Sequence, residues 1–260
     1  TAIATPYYGY NFVNWTNSSG TALSTNATYS FTVSASKTLT ANFTIQTFSV
    51  ALEATTGGSV SGGGTYNYGT SVTVTATPNT GYTFTGWSKD GTIVSTSLSY
   101  AFYIYEATTL KANFTINTYP VTLDASVGGT VSGQGTYDYG TTATVIATPD
   151  AGYDFVNWTE NGTAVSTSAS YSFTVSAARA LKANFEIKSI AIVLETTAGG
   201  SVSGQGTYGY GASITVIATP NTNYNFVNWT ENGTIVSTSA SYTFTVTAER
   251  TLKANFAINT

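Results

Sequence analysis

The chain has 260 residues, contains no Cys, Met or His, and carries charge on only 8% of its positions. The missing residue types exclude a disulfide scaffold, a thiolate or imidazole metal site, and any catalytic triad that needs His or Cys. A net charge of −4 leaves no basic surface for nucleic acid. No apolar run approaches the roughly 20 residues of a membrane helix, so we expect no membrane insertion.

The sequence repeats itself with a period of 71 residues. The tripeptide Ala-Asn-Phe ends at four positions that are 71 residues apart, Phe43, Phe114, Phe185 and Phe256. The four Trp follow nearly the same spacing, at Trp15, Trp87, Trp158 and Trp229. Such self-similarity predicts a tandem array of modules. We divide the chain into repeat 1 (1–46), repeat 2 (47–117), repeat 3 (118–188) and repeat 4 (189–260).

Repeat 1 contains only the C-terminal half of the pattern, because it lacks the Gly-Gly hairpin that opens the other three repeats. Several of its strands would therefore lack sheet partners, and an unpaired strand edge is a template for another strand. We predict that an upstream segment or another chain supplies the missing strands. The chain starts at Thr1 without an initiator Met or a signal peptide, so we expect it to have been processed or excerpted from a longer protein.

The complete repeats consist of short predicted strands. In repeat 3 these are 119–125, 141–148, 170–176 and 180–187. Tyr171, Phe173 and Val175 alternate with Ser and Thr, which is the period of a half-buried strand.

The turns between these strands are equally regular. Asn161-Gly162 predicts a type I′ hairpin turn, because both central residues of that turn need positive φ; Asp90-Gly91 and Asn232-Gly233 serve the other repeats. No segment carries a helical apolar stripe. The predicted fold class is all-β, a tandem array of small modules that are β-grasp-like or small β-sandwiches, rod-like because the linkers are short.

The motifs of each repeat resemble a known family. Gly-Gly-x-Val-x-Gly is followed by Gly-Thr-Tyr-x-Tyr-Gly, Ala-Thr-Pro, Gly-Tyr-x-Phe-x-x-Trp and Ala-Asn-Phe. This series resembles the divergent internalin-type B-repeat, a relative of the Listeria–Bacteroides surface repeat. Positions 57–114 and 128–185 carry every element, 199–256 lack one because Asn223 replaces a Gly, and 1–43 carry the second half.

The resemblance implies an extracellular or cell-surface location in a prokaryote. It implies tandem β modules of stalks and adhesin-type proteins, and it transfers no catalytic residues. A β-grasp usually includes a helix, whereas this sequence has no helical segment, so the sheet topology stays open.

Charged residues recur at one position pair of each complete repeat. The acids are Glu53, Asp124 and Glu195, and the bases are Lys111, Lys182 and Lys253. We predict that each acid pairs with the Lys of its own repeat across adjacent strands. An exposed pair of this kind contributes about 0–1 kcal/mol. No catalytic, cofactor-binding or metal-binding residues are predicted, and no cofactor.

Two further groups of residues are candidates for surface chemistry. Asn-x-Ser/Thr sequons fall in predicted turns or loops at Asn17, Asn26, Asn161 and Asn232, which makes them candidate glycosylation sites. Tyr137, Tyr139 and Trp158 could form a sugar-binding face, but aromatic residues that recur in every repeat favour a role in the core.

These features predict a non-catalytic structural protein. Exposed sheet edges are normally protected by Lys, Pro or bulges, and this chain has only 8 basic residues and 5 Pro. We expect self-association through sheet edges or the open half-repeat at 1–46, in a filament, stalk or sheath. The alternative is an adhesin or carbohydrate-binding module that contacts glycans or a host surface through the loops at 95–99, 166–170 and 237–241. An enzyme is a distant third.

Overall fold

A computed structural model describes residues 1–259. Strands are the regular secondary structure throughout this range, and it contains no helix. Accordingly, nothing in the described residues is a helix long and apolar enough to cross a membrane. The predicted all-β fold class is confirmed. The chain divides into two compact units, 1–117 and 118–260, which are described separately.

The first unit holds repeats 1 and 2. The strands of repeat 1 are β1 (Ala2–Ile3), β2 (Tyr10–Thr16), β3 (Ala22–Ser24), β4 (Thr28–Tyr29) and β5 (Thr40–Ile45). The strands of repeat 2 are β6 (Thr47–Ala54), β7 (Gly58–Ser61), β8 (Gly64–Asn67), β9 (Ser71–Pro78), β10 (Tyr82–Lys89), β11 (Thr92–Ser95), β12 (Ser99–Tyr103) and β13 (Thr108–Ile116).

The second unit holds repeats 3 and 4. The strands of repeat 3 are β14 (Thr118–Ala125), β15 (Gly129–Ser132), β16 (Gly135–Asp138), β17 (Thr142–Pro149), β18 (Tyr153–Glu160), β19 (Thr163–Ser166), β20 (Ser170–Thr174) and β21 (Arg179–Ile187). The strands of repeat 4 are β22 (Ser189–Thr196), β23 (Gly200–Ser203), β24 (Gly206–Gly209), β25 (Ser213–Pro220), β26 (Tyr224–Glu231), β27 (Thr234–Ser237), β28 (Ser241–Thr245) and β29 (Arg250–Ile258).

Each complete repeat is built from two sheets. In repeat 3 a five-stranded sheet has the order β16-β14-β21-β18-β19, and a three-stranded sheet has the order β15-β17-β20. All pairs are antiparallel except the first and last strands, β14 and β21, which run parallel at the centre of the larger sheet. Repeats 2 and 4 have the same arrangement. The module is therefore a small two-sheet sandwich.

The core lies between the two sheets. Val145 of β17, Trp158 of β18 and Leu181 of β21 are buried there, as are their counterparts in repeats 2 and 4. The alternation predicted for β20 holds, because Tyr171 and Phe173 pack against the core while the hydroxyl residues between them are exposed. The indole Nε1 of Trp158 donates a hydrogen bond to the Ala169 carbonyl at 3.2 Å. Burial on this scale is the main stabilising contribution in so small a module.

The predicted hairpin turns are present. Asn161 and Gly162 have φ of 50° and 80°, and the Asn-Gly pair of repeat 4 and Asp90-Gly91 of repeat 2 have nearly the same values. Positive φ at both positions is the type I′ geometry that matches the twist of the flanking strands. These turns place β19 beside β18 at the edge of the five-stranded sheet.

Candidate functional site

The acids and lysines predicted to pair lie opposite one another on the parallel central strands. The register places Glu53 opposite Lys111, Asp124 opposite Lys182 and Glu195 opposite Lys253. Among the described residues only Lys182 and Asp124 come within ion-pair distance, with Nζ and Oδ2 3.6 Å apart. Both side chains are well exposed, so the pair contributes at most about 1 kcal/mol. Lys182 and Asp124 line a shallow depression on the outer face of the sheet.

The four candidate glycosylation sites lie in turns or bends. Asn26, Asn161 and Asn232 are exposed there. Asn17 is half-buried, and its Oδ1 accepts hydrogen bonds from the backbone N–H groups of Ser19 and Thr21 at 3.1 and 2.9 Å. Its amide oxygen therefore shapes the turn that follows β2. The structure places the other three amides where a glycan has room.

An arginine closes one end of the sandwich in repeat 3. Arg179, at the start of β21, donates two hydrogen bonds from Nε and Nη2 to the Glu160 carboxylate and one from Nη1 to the Tyr171 hydroxyl. Its guanidinium carbon lies 4.2 Å from the centroid of the Phe173 ring. The Arg and Glu side chains are only 18% and 24% exposed. Hydrogen bonds from Arg179 lower the pKa of the Glu160 carboxyl, against the opposing effect of partial burial.

Repeat 4 has the same cluster. Arg250 hydrogen-bonds Glu231 and the Tyr242 hydroxyl, and its guanidinium carbon lies 4.4 Å from the centroid of the Phe244 ring. A cation over an aromatic face, paired with a carboxylate in a bidentate manner, is a strong local arrangement. This cluster therefore ties the edges of the two sheets together in both repeats of the second unit.

Repeat 2 leaves the corresponding end of the sandwich open. Lys89 and Thr108 occupy the positions of Glu160 and Arg179. Lys89 instead bonds to Glu106, with Nζ and Oε1 2.8 Å apart, and this raises the pKa of Lys89 and lowers that of Glu106. A cleft of about 290 Å³ results. Its lining includes Lys89, Tyr100, Phe102, Tyr103, Tyr105 and Glu106.

Successive repeats within each unit share one kind of joint. In the first unit the Tyr68 ring packs against Gly9 so closely that a Cβ on Gly9 would lie 2.1 Å from it. The linker residue Gln46 donates its N–H to the Gly9 carbonyl and accepts from the Tyr68 N–H, at 2.7 and 2.8 Å. In the second unit Gly152, Lys188 and Tyr210 make the same contacts.

Repeat 1 has an uncovered face. Its last strand, β5, pairs with β2 on one side, and no described strand pairs with its other edge. In the complete repeats that edge is taken by the parallel first strand. Val33 is 75% exposed, whereas Val175 at the corresponding position of repeat 3 is 0% exposed. Phe43 is likewise exposed, while Phe114 is buried.

The fold defines the class of protein, an all-β tandem-repeat protein. The model of the divergent InlB B-repeat domain matches residues 1–47, 48–118, 119–189 and 190–260. The chain therefore belongs to the divergent InlB B-repeat family, as the motifs predicted. Repeats of this type are typically found in surface proteins. The second to fourth matches begin one residue later than the boundaries used above.

Two solved structures are similar at low sequence identity. The Bacillus anthracis TIE protein is 8% identical with a TM-score of 0.40, and the match covers 86% of this chain and 55% of that one. A three-immunoglobulin-domain segment of titin, an E-to-A variant, is 8% identical with a TM-score of 0.14 and coverages of 80% and 95%. This chain thus spans about 55% of the length of the TIE chain. A search of curated proteins found no match.

The sequence reasoning missed the arginine cluster and the open cleft. The signal for the cluster was available, because Arg179 follows Glu160 by 19 residues and Arg250 follows Glu231 by the same number. In a chain with 8% charged residues, an opposite-charge pair repeated at fixed spacing marks a structural contact.

Proposed function

We propose that this chain is a non-catalytic structural region of an extracellular or cell-surface protein, which builds a filament, stalk or sheath from end-to-end repeats. The observation that carries the proposal is the joint that recurs between successive repeats of each unit. The family is a non-catalytic repeat domain, and repeats of its type are typical of surface proteins. Identical strand orders in repeats 2 to 4 favour a spacing role over separate functions for each module.

The joint restricts rotation between neighbouring repeats. The linker is a single residue whose N–H and carbonyl are both bonded, one to the preceding repeat and one to the following repeat. The Tyr210 ring fills the space above Gly152, where any side chain would collide with it. Short, hydrogen-bonded linkers transmit orientation, whereas flexible ones do not. A stalk or filament needs this property.

Strand sharing is the second part of the proposal. The uncovered edge of β5 fits a segment with the pattern of 47–78, because copies of that segment cover the same edge in repeats 2 to 4. Such a segment would bury the exposed Val33 and Phe43 and pair the free strand edge. We propose that a second copy of the chain can supply it.

Small-angle X-ray scattering of matched variants tests the joint. Gly152→Ala should loosen repeats 3 and 4, because the new Cβ would displace Tyr210. Gly162→Ala is the control, since its φ of 80° is nearly that of Gly152 but its Cβ would meet nothing within 4 Å. We expect a broader distance distribution for Gly152→Ala alone. Equal profiles for wild type and both variants would overturn the structural role of the joint.

Sedimentation of the chain tests strand sharing. We expect concentration-dependent association of the wild type and a loss of it in Phe43→Glu, which places a charge on the uncovered face. Phe43 does not contribute to a complete core, so repeat 1 keeps its sheet. Association that is unchanged by Phe43→Glu, or a monomer at all concentrations, would refute sharing through this edge.

One observation favours the alternative role, an adhesin or carbohydrate-binding module. It is the cleft of repeat 2, whose counterparts in repeats 3 and 4 are filled by arginine.

A further inference from the structure

Five of the positions at which repeat 2 departs from repeat 3 line one cleft. Repeat 2 has Lys89, Tyr103, Tyr105, Glu106 and Thr108 where repeat 3 has Glu160, Thr174, Ser176, Ala177 and Arg179. The exchange removes the arginine that fills the site, reverses the ion pair and adds two tyrosines. Because the five positions come from β10, from β12 with the turn after it, and from β13, their grouping arises in the folded chain and not from sequence proximity.

The floor of the cleft is aromatic. Tyr100 and Phe102 correspond to the residues whose ring faces lie under Arg179 in repeat 3, and no cation of the described chain lies over either of them. Their ring centroids are 5.3 Å apart and their planes differ by 26°. The two rings thus form a nearly continuous apolar platform.

The added tyrosines extend the cleft and are held in place. Tyr103 and Tyr105 are 62% and 56% exposed, which is unusual for large side chains in this chain's sandwich modules. The Tyr105 ring contacts the Tyr68 ring edge-on, with centroids 5.2 Å apart. Since Tyr68 is fixed at the joint with repeat 1, the wall of the cleft is pre-organised.

The polar groups of the cleft carry no net charge. The Lys89 ammonium and the Glu106 carboxylate are paired, so the rim offers three N–H donors and a set of acceptor oxygens side by side. The Tyr100 hydroxyl, whose counterpart in repeat 3 accepts a bond from arginine, has no hydrogen-bond partner in the described residues. Such a rim suits a ligand with neighbouring hydroxyl groups.

We propose that this cleft binds one hexopyranose unit of a neutral oligosaccharide. The apolar C–H face of the sugar ring stacks on Tyr100 and Phe102, where the negative ring faces attract weakly positive C–H groups. The sugar hydroxyls bond to Lys89, Glu106 and the Tyr100 hydroxyl. A volume of about 290 Å³ is at the lower limit for small-molecule sites, which fits one ring or two. The inference holds whether or not the chain forms filaments.

A guanidinium group from a partner fits this cleft less well. In repeats 3 and 4 the arginine is bound by a carboxylate on the strand that corresponds to β10. That position is Lys89 in repeat 2, which would repel a cation, and Glu106 is already paired with it. The charge pattern therefore favours a neutral ligand.

The test uses a neutral-glycan array and ligand-observed NMR with cellotetraose and chitotetraose as probes. We expect the full chain to bind at least one neutral glycan and Tyr100→Ala to lose it. Tyr171→Ala, the same change in repeat 3, is the matched control and should bind as the wild type does. The triple variant Lys89→Glu/Glu106→Ala/Thr108→Arg recreates the filled site of repeat 3, and we expect its affinity to fall by at least about tenfold.

Several results would overturn the proposal. They are the absence of binding to every neutral glycan, binding that survives the triple variant, and binding of an arginine-containing peptide in place of a sugar. The triple variant also guards against misfolding as a cause of lost binding, because its new Arg–Glu pair should leave hydrogen-exchange protection of repeat 2 equal to or higher than in the wild type.

Discussion

Repeats 2 and 3 have the same strand order, the same parallel central pair and the same buried residue types, yet they close one end of the sandwich differently. Repeat 3 fills that end with Arg179, whereas repeat 2 leaves an aromatic cleft bordered by an ion pair of reversed direction. The fold therefore depends on the core and tolerates change at the sandwich end. A site can arise in one module of an array without altering the module's architecture.

The tryptophans provide the largest expected contrast. Trp158 donates to the Ala169 carbonyl, but the buried Nε1 of Trp87 has no partner in the described residues. Trp158→Phe should destabilise repeat 3 by about 3 kcal/mol through lost volume and a lost hydrogen bond. Trp87→Phe should cost about 1–2 kcal/mol less, because it also removes an unsatisfied donor. Native-state hydrogen exchange resolved by repeat measures both, and equal losses would contradict the contrast.

Removal of the arginine should give the next largest effect. Arg179→Ala uncovers Phe173 and leaves the half-buried Glu160 without its partner, at a cost of about 2 kcal/mol in repeat 3. Thr108→Ala in repeat 2 is the matched control, since it breaks no ion pair, and should leave that repeat's exchange protection unchanged. A loss confined to Thr108→Ala would reverse the roles assigned to the two repeats.

Acid should weaken repeat 3 through Glu160. Because Arg179 lowers the pKa of this carboxyl from its ordinary value of 4.5, the folded state is favoured while Glu160 is ionised. That stabilisation is complete above pH 4.5 and is lost as the pH falls through the lowered folded-state pKa. Exchange protection of repeat 3 measured from neutral pH to pH 2.5 should show this loss, and Glu160→Gln should remove the pH-dependent part.

The exposed pair on the outer face should matter least. Asp124→Asn removes the partner of Lys182, and both side chains are well exposed to solvent. The change in the free energy of unfolding of repeat 3 should be no more than about 0.5 kcal/mol. Thermal unfolding at low and high salt measures it, and a loss of about 2 kcal/mol would show that the outer face carries structural weight.

Local chemistry made part of this fold predictable. Asn161-Gly162 specified its turn because few residues adopt positive φ, and the alternation of Tyr171, Phe173 and Val175 specified a strand with one buried face. These signals depend on residues close together in the sequence. They also allowed the family to be recognised before any topology was known.

The topology and the sites depended on contacts between distant residues. The parallel pairing of β14 with β21 joins segments 58 residues apart, such as Val121 and Arg179, and no local period encodes such a register. The cleft could be found only after the pairing showed that β10, β12 and β13 meet at one end. The departures of repeat 2 from the shared pattern were visible beforehand, but their common location was not.

The most direct measurement is a map of NMR chemical-shift changes in the full chain on titration with the glycan that binds best. The account predicts that the signals of Lys89, Tyr100 and Phe102 shift together, while those of Tyr171 and Phe173 stay in place because Arg179 covers their rings. Shifts of similar size in all three complete repeats, or shifts confined to the outer face around Lys182, would contradict it.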